Sequence, residues 1–366
     1  MNSELDCSFG CRGNQDRVGV LIAQLGTPDA PTPSALKKYL SQFLWDPRVI
    51  EVNRPLWWCI LNGFILNTRP KRSAKLYERI WTENGSPLLT FTASLTEKLT
   101  KQLHSDGRNV EVAFGMRYGS PSIELAIDSL IKKGCSKILL FPMYPQYAAA
   151  TTASTYDAVF KHLLKRRWVP TLRVAEPFCR NTVYLNSLAN SINSHLQSYP
   201  AGKEPERLVF SYHGIPEKYV EKGDPYCCMC TESTEALKPY LKIDASKIVH
   251  TYQSKFGRDP WLVPYTDVTL GGLAREGVKR IAVVCPGFTT DCLETIDEMG
   301  HEGSKLFKSL GGEELTLIPC LNDQQHWIEA LSKIVVSELG TWVSNSACNS
   351  KVACPISIAK SKGIKP

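Results

Sequence analysis

The sequence VGVLIAQL at residues 18–25 is an almost uninterrupted apolar run of strand length. A strand with one solvated face alternates apolar and polar residues, whereas a run without alternation is typical of a strand covered on both faces. Such strands belong to parallel sheets that carry helices on both sides. This run therefore indicates an α/β protein.

Seven further runs of this kind follow, and segments with helical spacing of apolar residues separate them. Residues 110–114, 137–144 and 172–175 complete a first set, and residues 208–212, 248–253, 281–285 and 315–319 form a second. The two sets predict two doubly wound lobes in tandem, each a parallel four-stranded sheet flanked by helices.

The predicted domain organisation follows from these sets. It comprises an N-terminal extension (residues 1–16), an N-terminal lobe (17–178), a C-terminal lobe (179–340) and a tail (341–366). A helix expected over residues 182–197 opens the second lobe. The tail is rich in Ser, Lys and Asn, so we expect it to be mobile.

Length and composition are those of an ordinary globular protein. The 366 residues are 43% hydrophobic and 22% charged, which excludes disordered, collagen-like and coiled-coil classes. Lysines of the tail supply more than half of the net charge of +7, so the body shows no excess typical of nucleic-acid binding. With no spanning apolar run and no export signal in the sequence, we expect a cytoplasmic protein.

Ligands of parallel sheets bind beyond the carboxyl ends of the strands, so the residues that follow each run are where chemistry is expected. No GxGxxG follows a strand, and neither GxxxxGK[ST] nor GxSxG occurs in the sequence. These absences argue against dinucleotide-binding, P-loop and serine-hydrolase classes.

His213 is the first candidate for chemistry. It ends the strand run in SYHGIP, residues 211–216, and Gly214 and Pro216 turn the backbone so that the imidazole points into the crevice between the lobes. Neutral imidazole can bind a transition metal or accept a proton near pH 7. A strand-end histidine bonded only to backbone is an equal alternative at this point.

The segment TTDCLETIDE, residues 289–298, predicts a helix that carries three carboxylates on one face. Either threonine can cap it, and Asp291, Glu294 and Glu298 follow the spacing i, i+3, i+7. A negative charge near the N-terminus of a helix is favoured by the helix dipole, which explains the acidic residue at Asp291. Glu294 and Glu298 lie deeper in the helix, where a nearby metal cation is the better explanation for like charges.

The segment PLWWCILNGFIL, residues 55–66, has apolar side chains around almost the whole circumference of a short helix. It is too short to span a bilayer, so it is either buried core or an exposed apolar lip for a lipophilic ligand or a membrane surface. A basic cluster follows directly, comprising Arg69, Lys71, Arg72 and Lys75. That cluster suits anionic headgroups or ligand carboxylates and favours the lip.

Three cysteines fall within four residues of GDPYCCMCTEST, on a segment expected to be a polar loop: Cys227, Cys228 and Cys230. Core packing explains such a cluster poorly. Metal or iron–sulfur binding is the better prediction, and a disulfide is disfavoured in a cytoplasmic chain.

The chain resembles the ferrochelatase family over residues 17–339. Seven motifs occur in the family's order: LGTP (25–28), SPL (86–88), FGMRYGSPS (114–122), YPQY (144–147), SYHGIP (211–216), YQSKFGRDPWLVPYTD (252–267) and PGFTTDCLET (286–295). The resemblance implies two Rossmann-like lobes with a porphyrin cleft between them. It also implies a lyase that inserts ferrous iron into a porphyrin in the last step of haem biosynthesis.

The resemblance implies roles for particular residues. His213 and Glu294 correspond to the family's catalytic pair, and we expect His213, Glu294 and Glu298 to bind the metal. The positions expected to bind substrate are Arg117, Tyr118, Tyr144 and Trp261, with Trp57 and Trp58 of the lip. A histidine found in many members is Cys292 here, and the first loop reads LGTP, which favours protoporphyrin IX over coproporphyrin.

Some bacterial members hold a 2Fe–2S cluster on an internal cysteine set, and such a cluster needs four thiolates. The resemblance implies Cys227, Cys228 and Cys230 as three ligands, and Cys179 is the candidate for the fourth. Zinc is the competing metal. Substitutes for the fourth ligand are Cys7, Cys11, Cys348 and Cys354.

Two other functions compete. A cobalt chelatase of corrin synthesis shares the fold, but its substrate bears many carboxylates and suits a more polar cleft. A non-catalytic tetrapyrrole or haem carrier would use His213 as an axial ligand and gives no reason for the carboxylate helix. Peripheral contact with a membrane surface through the lip is a further expectation.

Overall fold

A computed structural model describes residues 17–343 and confirms the two predicted parallel sheets. The first has the strand order β2-β1-β3-β4 and the second β6-β5-β7-β8. The strands are β1 (Arg17–Thr27), β2 (Val110–Gly119), β3 (Cys135–Pro142), β4 (Thr171–Val174), β5 (Arg207–His213), β6 (Ile248–Gln253), β7 (Arg280–Val284) and β8 (Glu314–Leu317). Each corresponds to one apolar run of the sequence.

Helices connect the strands. The α-helices are α1 (Pro33–Trp45), α2 (Arg54–Ile60), α3 (Leu66–Ile80), α4 (Pro87–Ser105), α5 (Ile123–Lys132), α6 (Ser154–Leu163), α7 (Thr182–Gln197), α8 (Glu217–Glu221), α9 (Tyr226–Leu237), α10 (Thr266–Arg275), α11 (Ser304–Ser309) and α12 (Gln325–Leu339). Three segments are π-helical, Leu61–Ile65, Ala149–Ala153 and Leu293–Gly303, and three are short 3-10 turns, Lys238–Tyr240, Ala245–Lys247 and Gly340–Trp342. The bounds of α7 are those predicted from the sequence.

The LGTP motif lies where β1 and β2 end together. Gly26 pairs with Tyr118 across the two strands and has a φ of 109°. A Cβ on Gly26 would lie 1.7 Å from the carbonyl oxygen of Tyr118, so only glycine fits here. This close pairing carries β2 to Gly119, five residues beyond its predicted end, and places Arg117 and Tyr118 in the strand.

The largest hydrophobic core runs through both lobes. It contains Val20 and Phe141 of the first sheet, Phe210 of the second, and Tyr184 and Leu331 of helices α7 and α12. Helix α12 packs against both α4 and α7, so it contacts helices of both lobes. The division at residues 178/179 stays a prediction.

Two predicted segments lie largely or wholly outside the described residues. The N-terminal extension, residues 1–16, is one, and the predicted tail, residues 341–366, is the other except for residues 341–343. Between residues 17 and 343, no helix is both long enough and apolar enough to cross a membrane.

Candidate active site between the two sheets

His213 stands at the carboxyl end of β5, as the strand pattern predicts. Its Nδ1 lies 2.7 Å from the carbonyl oxygen of Gly214. A carbonyl only accepts, so Nδ1 carries a proton and donates, and in the neutral imidazole Nε2 keeps its lone pair. That lone pair can take up a proton or bind a metal ion.

The backbone turn that follows His213 is tightly packed at Gly214. The Gly214 N–H donates to the carbonyl of Gln253 at 2.8 Å. A Cβ on Gly214 would lie 2.9 Å from that oxygen and 3.1 Å from the ring of Trp261. The Trp261 ring centroid is 6.4 Å from that of His213, so the indole forms a wall beside the imidazole.

The carboxylate helix is wound as a π-helix over Leu293–Gly303. Long π-helical segments are rare and are frequent at functional sites. The predicted threonine cap is wrong: Thr289 donates to the carbonyl of Met143 at 3.0 Å, and Thr290 accepts from Gln24 at 3.1 Å. Both bonds cross between the lobes, and the helix is capped instead by Cys292.

Asp291 does not belong to the carboxylate face, contrary to the sequence prediction. It is buried before the first turn, where its carboxylate accepts from the Asn322 side chain at 2.7 Å and the Thr295 hydroxyl at 2.9 Å. The helix begins two residues later than the threonine cap would allow, which leaves Asp291 in the preceding loop. Its role is structural.

Glu294 and Glu298 remain four residues apart on the π-helix. Burial raises the pKa of Glu298, and the hydrogen bond from Ser254 Oγ, 2.6 Å from Oε2, opposes this rise. A proton on the imidazole of His213 would also lower the pKa of Glu298, and the carboxylate of Glu294 raises it. The imidazole and both carboxylates therefore share one electrostatic environment.

Two buried tyrosines of the first lobe lie near Glu294. Burial raises the pKa of both Tyr39 and Tyr77, and the carboxylate of Glu294 raises each further. Both phenols stay neutral.

Within residues 17–343, no three His, Cys, Asp or Glu side chains form a group that could hold a metal ion, so the set of His213, Glu294 and Glu298 stays a proposal.

Helix α3 and the π-helix are joined by ion pairs. Arg79 contacts buried Asp297 at 2.9 Å and Glu302 at 2.5 Å. Burial raises the pKa of Asp297, and the Arg79 charge opposes that rise. These pairs fix the carboxylate helix against the first lobe.

Tyr118, predicted to bind substrate, has its ring in the core. Its side chain is 1% exposed, and its hydroxyl donates to Asp46 at 2.9 Å. The guanidinium of Arg117 lies 4.5 Å from the centroid of that ring, pairs with Asp46 and donates to the Ser154 carbonyl at 2.9 Å. This network holds the Tyr118 ring in the core, and its contact with a substrate stays a prediction.

The other predicted substrate contacts are placed differently. Arg117 is partly exposed but bonded to Asp46, and the Tyr144 ring is partly exposed with a buried hydroxyl. Their contacts with a substrate, like that of Trp261, stay predictions.

Only part of the apolar segment forms a lip. Helix α2, the π-helical turn and α3 run on from one another over residues 54–80. Trp57 is 8% exposed within a core cluster, and its indole N–H donates to the Leu44 carbonyl at 2.7 Å. Trp57 therefore packs in the core, and its contact with a substrate stays a prediction. Trp58 and Phe64 are 57% and 67% exposed.

Arg69 of the basic cluster reaches towards the second lobe. Its guanidinium stands 4.9 Å from the ring centroid of Phe256, in the loop after β6. Burial lowers the pKa of Arg69, and the charge of Arg72 lowers it further. The contact brings the base of the lip close to the loop that follows Gln253 and Ser254.

The predicted cysteine loop is a helix, so that expectation is wrong. Asp224 accepts from the Tyr226 N–H at 3.1 Å, and α9 begins directly after Pro225. On this helix Cys228 is exposed whereas Cys230 is fully buried.

The four proposed cluster ligands do not fit a 2Fe–2S group as they are placed. Burial raises the pKa of the Cys179 and Cys230 thiols. Cys227 lies 3.7 Å from the Tyr252 hydroxyl, and no metal-holding group forms among the described residues. The substitutes Cys7, Cys11, Cys348 and Cys354 lie outside them.

Gln253 and Ser254 both contact the carboxylate helix but were not predicted as site residues. Gln253 ends β6 and Ser254 follows it, so the rule that ligands bind at the carboxyl ends of parallel strands could have identified them. Asp46 was not predicted either, because its burial beneath Arg117 depends on tertiary contacts.

Comparison with known proteins agrees with this architecture. The family model described as Ferrochelatase matches residues 17–339. The Marinobacter nauticus ferrochelatase is 48% identical over 328 residues, 89% of this chain and 88% of the relative. The Bradyrhizobium diazoefficiens ferrochelatase is 48% identical over 334 residues, 91% and 96% of the two chains.

Among solved structures, SirB from Bacillus subtilis with Fe3+ has a TM-score of 0.52 at 12% identity, over 91% of this chain and 98% of that one. That likeness shows a shared fold alone. The match to the family model and the identity to its members together establish that this chain belongs to the ferrochelatase family.

Proposed function

We propose that the chain is a protoporphyrin ferrochelatase, a lyase that inserts ferrous iron into protoporphyrin IX to form protohaem. One observation carries this proposal: Gln253 pairs with His213 at the strand ends and donates to the Glu294 carbonyl at 2.8 Å, so the imidazole and the carboxylate helix meet at one edge of the sheet. Insertion needs a proton acceptor and a metal ligand close together, and this arrangement offers both. Membership of the ferrochelatase family supports the reaction class.

The mechanism follows from the demands of metallation. A porphyrin must lose two pyrrole N–H protons, and ferrous iron must lose its water ligands. His213 and Glu294 divide the roles of proton acceptor and metal ligand between them. Because burial raises the pKa of Glu298, this carboxylate holds a proton more readily than an exposed glutamate and can pass it away from the ring.

Apolar and aromatic walls bind the ring in this proposal. Trp261 stands beside the imidazole, and Trp58 is exposed on the lip. Tyr144 and Arg117 are the proposed contacts of the first lobe. Binding energy from these walls can be used to distort the flat ring and expose its nitrogen lone pairs.

The competing functions have less support. SirB shares the fold at 12% identity, which gives no argument for a cobalt or sirohydrochlorin substrate. A haem carrier would need His213 alone and would leave the carboxylates Glu294 and Glu298 without a role.

We also propose that the exposed part of the lip contacts lipid. Leu56, Trp58, Ile60 and Phe64 are exposed apolar side chains there. Exposed lysines and arginines follow within one to three turns, which suits an anionic surface. Sedimentation with vesicles of phosphatidylcholine containing phosphatidylglycerol tests this contact. Phe64→Ser should reduce the bound fraction, and unchanged binding would refute the role of the lip.

The 2Fe–2S cluster stays a separate prediction, and iron insertion as proposed does not run through it. Cys179, Cys227, Cys228 and Cys230 form no group that could hold a metal ion among residues 17–343, which argues against it. An anaerobic preparation with visible absorption that dithionite bleaches would support the cluster, whereas a colourless one would reject it.

The function itself is tested by anaerobic incubation of the purified protein with ferrous iron and protoporphyrin IX. The porphyrin absorption bands should be replaced by those of haem, at a rate proportional to enzyme concentration. Parallel reactions with coproporphyrin and with cobalt measure substrate preference. A rate no higher than that of the protein-free mixture would reject the proposal.

A further inference from the structure

Gln253 is buried between the two halves of the proposed active site. Its side chain is 3% exposed at the end of β6. Its Oε1 accepts from Ser211 Oγ at 2.7 Å, and its Nε2 donates to the backbone carbonyl of Glu294 at 2.8 Å. One amide thus connects the β5 strand to the first turn of the carboxylate helix.

The backbone of Gln253 is bonded to the other half of the site. In the parallel ladder it pairs with His213, and its carbonyl accepts from the Gly214 N–H at 2.8 Å. The strand end that carries the imidazole and the helix turn that carries Glu294 are therefore both bonded to this residue.

The next residue holds the second carboxylate. Ser254 has a φ of 66°, a left-handed conformation that is uncommon outside glycine. Its Oγ donates to Glu298 Oε2 at 2.6 Å. A backbone held in this region next to a site is typical of a turn whose geometry serves function. Gln253 and Ser254 together bond both glutamates of the helix.

We propose that Gln253 is a positioning residue for iron insertion, which sets the separation of His213 and Glu294 without contacting the substrate. This inference rests on the proposed function. A proton acceptor and a metal ligand must stand within about 0.5 Å of the productive geometry. A shift of about 1 Å can cost about 100-fold in rate. The hydrogen bond from the Gln253 side-chain amide to the Glu294 carbonyl restrains that shift.

The test compares Gln253→Met with Thr251→Val. Methionine fills a similar volume and removes the side-chain hydrogen bonds to Ser211, the Glu294 carbonyl and Cys285. Thr251 lies two residues earlier on β6 and is fully buried; it donates to the Phe210 carbonyl at 3.0 Å and accepts from the Thr266 hydroxyl at 2.8 Å, and neither partner belongs to the carboxylate helix. Both variants therefore lose buried polar bonds in the same layer. Melting temperature, kcat and the KM for each substrate are measured for both.

We expect Gln253→Met to lower kcat at least about tenfold, with the KM for porphyrin changed less than about twofold, since only the catalytic geometry moves. Thr251→Val should keep kcat within about twofold at a comparable melting temperature. Equal kcat losses in the two variants would show a purely structural effect and overturn the inference.

A second variant covers the case in which Gln253→Met does not fold. Gln253→Glu keeps the shape and the bond from Ser211, but replaces the donor that faces the Glu294 carbonyl with an oxygen. It should also lower kcat at least about tenfold, and kcat at the level of the wild type would overturn the inference. If the wild type itself inserts no iron, the proposed function fails instead, so the two failures are distinguishable.

Discussion

Adjacent tryptophans of the lip segment should respond in opposite ways to the same substitution. Trp57 is 8% exposed within a core cluster, whereas Trp58 is 57% exposed. Truncating a buried tryptophan to alanine costs about 3–5 kcal/mol of unfolding free energy. Trp57→Ala also leaves the Leu44 carbonyl without its 2.7 Å indole donor, which adds about 1 kcal/mol. Surface substitutions usually change stability by less than about 0.5 kcal/mol, so Trp58→Ala should be nearly neutral.

Urea unfolding followed by circular dichroism measures both variants against the wild type. The difference in unfolding free energy between Trp57→Ala and Trp58→Ala should be at least about 3 kcal/mol, with the slope against urea unchanged. Vesicle binding should show the reverse order, because Trp58 alone is exposed to lipid. A large stability loss in Trp58→Ala, or none in Trp57→Ala, would refute the division of this helix into core and lip.

The remaining predictions concern the site and the cysteines. Glu294→Gln keeps shape and loses charge, so it should lower kcat by about 100-fold or more while the melting temperature stays near that of the wild type; a folding defect with retained specific activity would contradict this. Arg79→Ala removes both ion pairs to the π-helix and should lower the unfolding free energy by about 1–3 kcal/mol, since it leaves buried Asp297 without its partner; an unchanged urea midpoint would argue against it. Cys228→Ser should leave stability and absorption unchanged because the thiol is exposed and belongs to no metal-holding group among residues 17–343; loss of visible colour in this variant would restore the cluster.

The fold was predictable because its signal is local. Strands buried on both faces, such as β1 and β5, give uninterrupted apolar runs, and the helix at residues 182–197 has clear apolar spacing. Because ligands of parallel sheets bind beyond the carboxyl ends of the strands, the strand pattern then located His213 without any tertiary information.

The predictions that failed concern residues whose position is determined by tertiary contacts. The sequence of α2 is apolar on all sides, so nothing local distinguishes Trp57, which packs under Leu44, from exposed Trp58. The π-helical winding after Cys292 has no sequence signal, and it moved Asp291 off the predicted face. Tyr118 follows a motif of the family, yet the Asp46 network draws its ring into the core.

The central claim is that His213 drives iron insertion, and single-turnover metallation tests it most directly. Wild-type protein and His213→Ala are each loaded anaerobically with protoporphyrin IX, mixed with ferrous iron, and followed by porphyrin absorption. The account predicts porphyrin affinities within about tenfold of each other and a metallation rate at least about 100-fold lower in His213→Ala. Metallation by His213→Ala at the rate of the wild type would contradict the account.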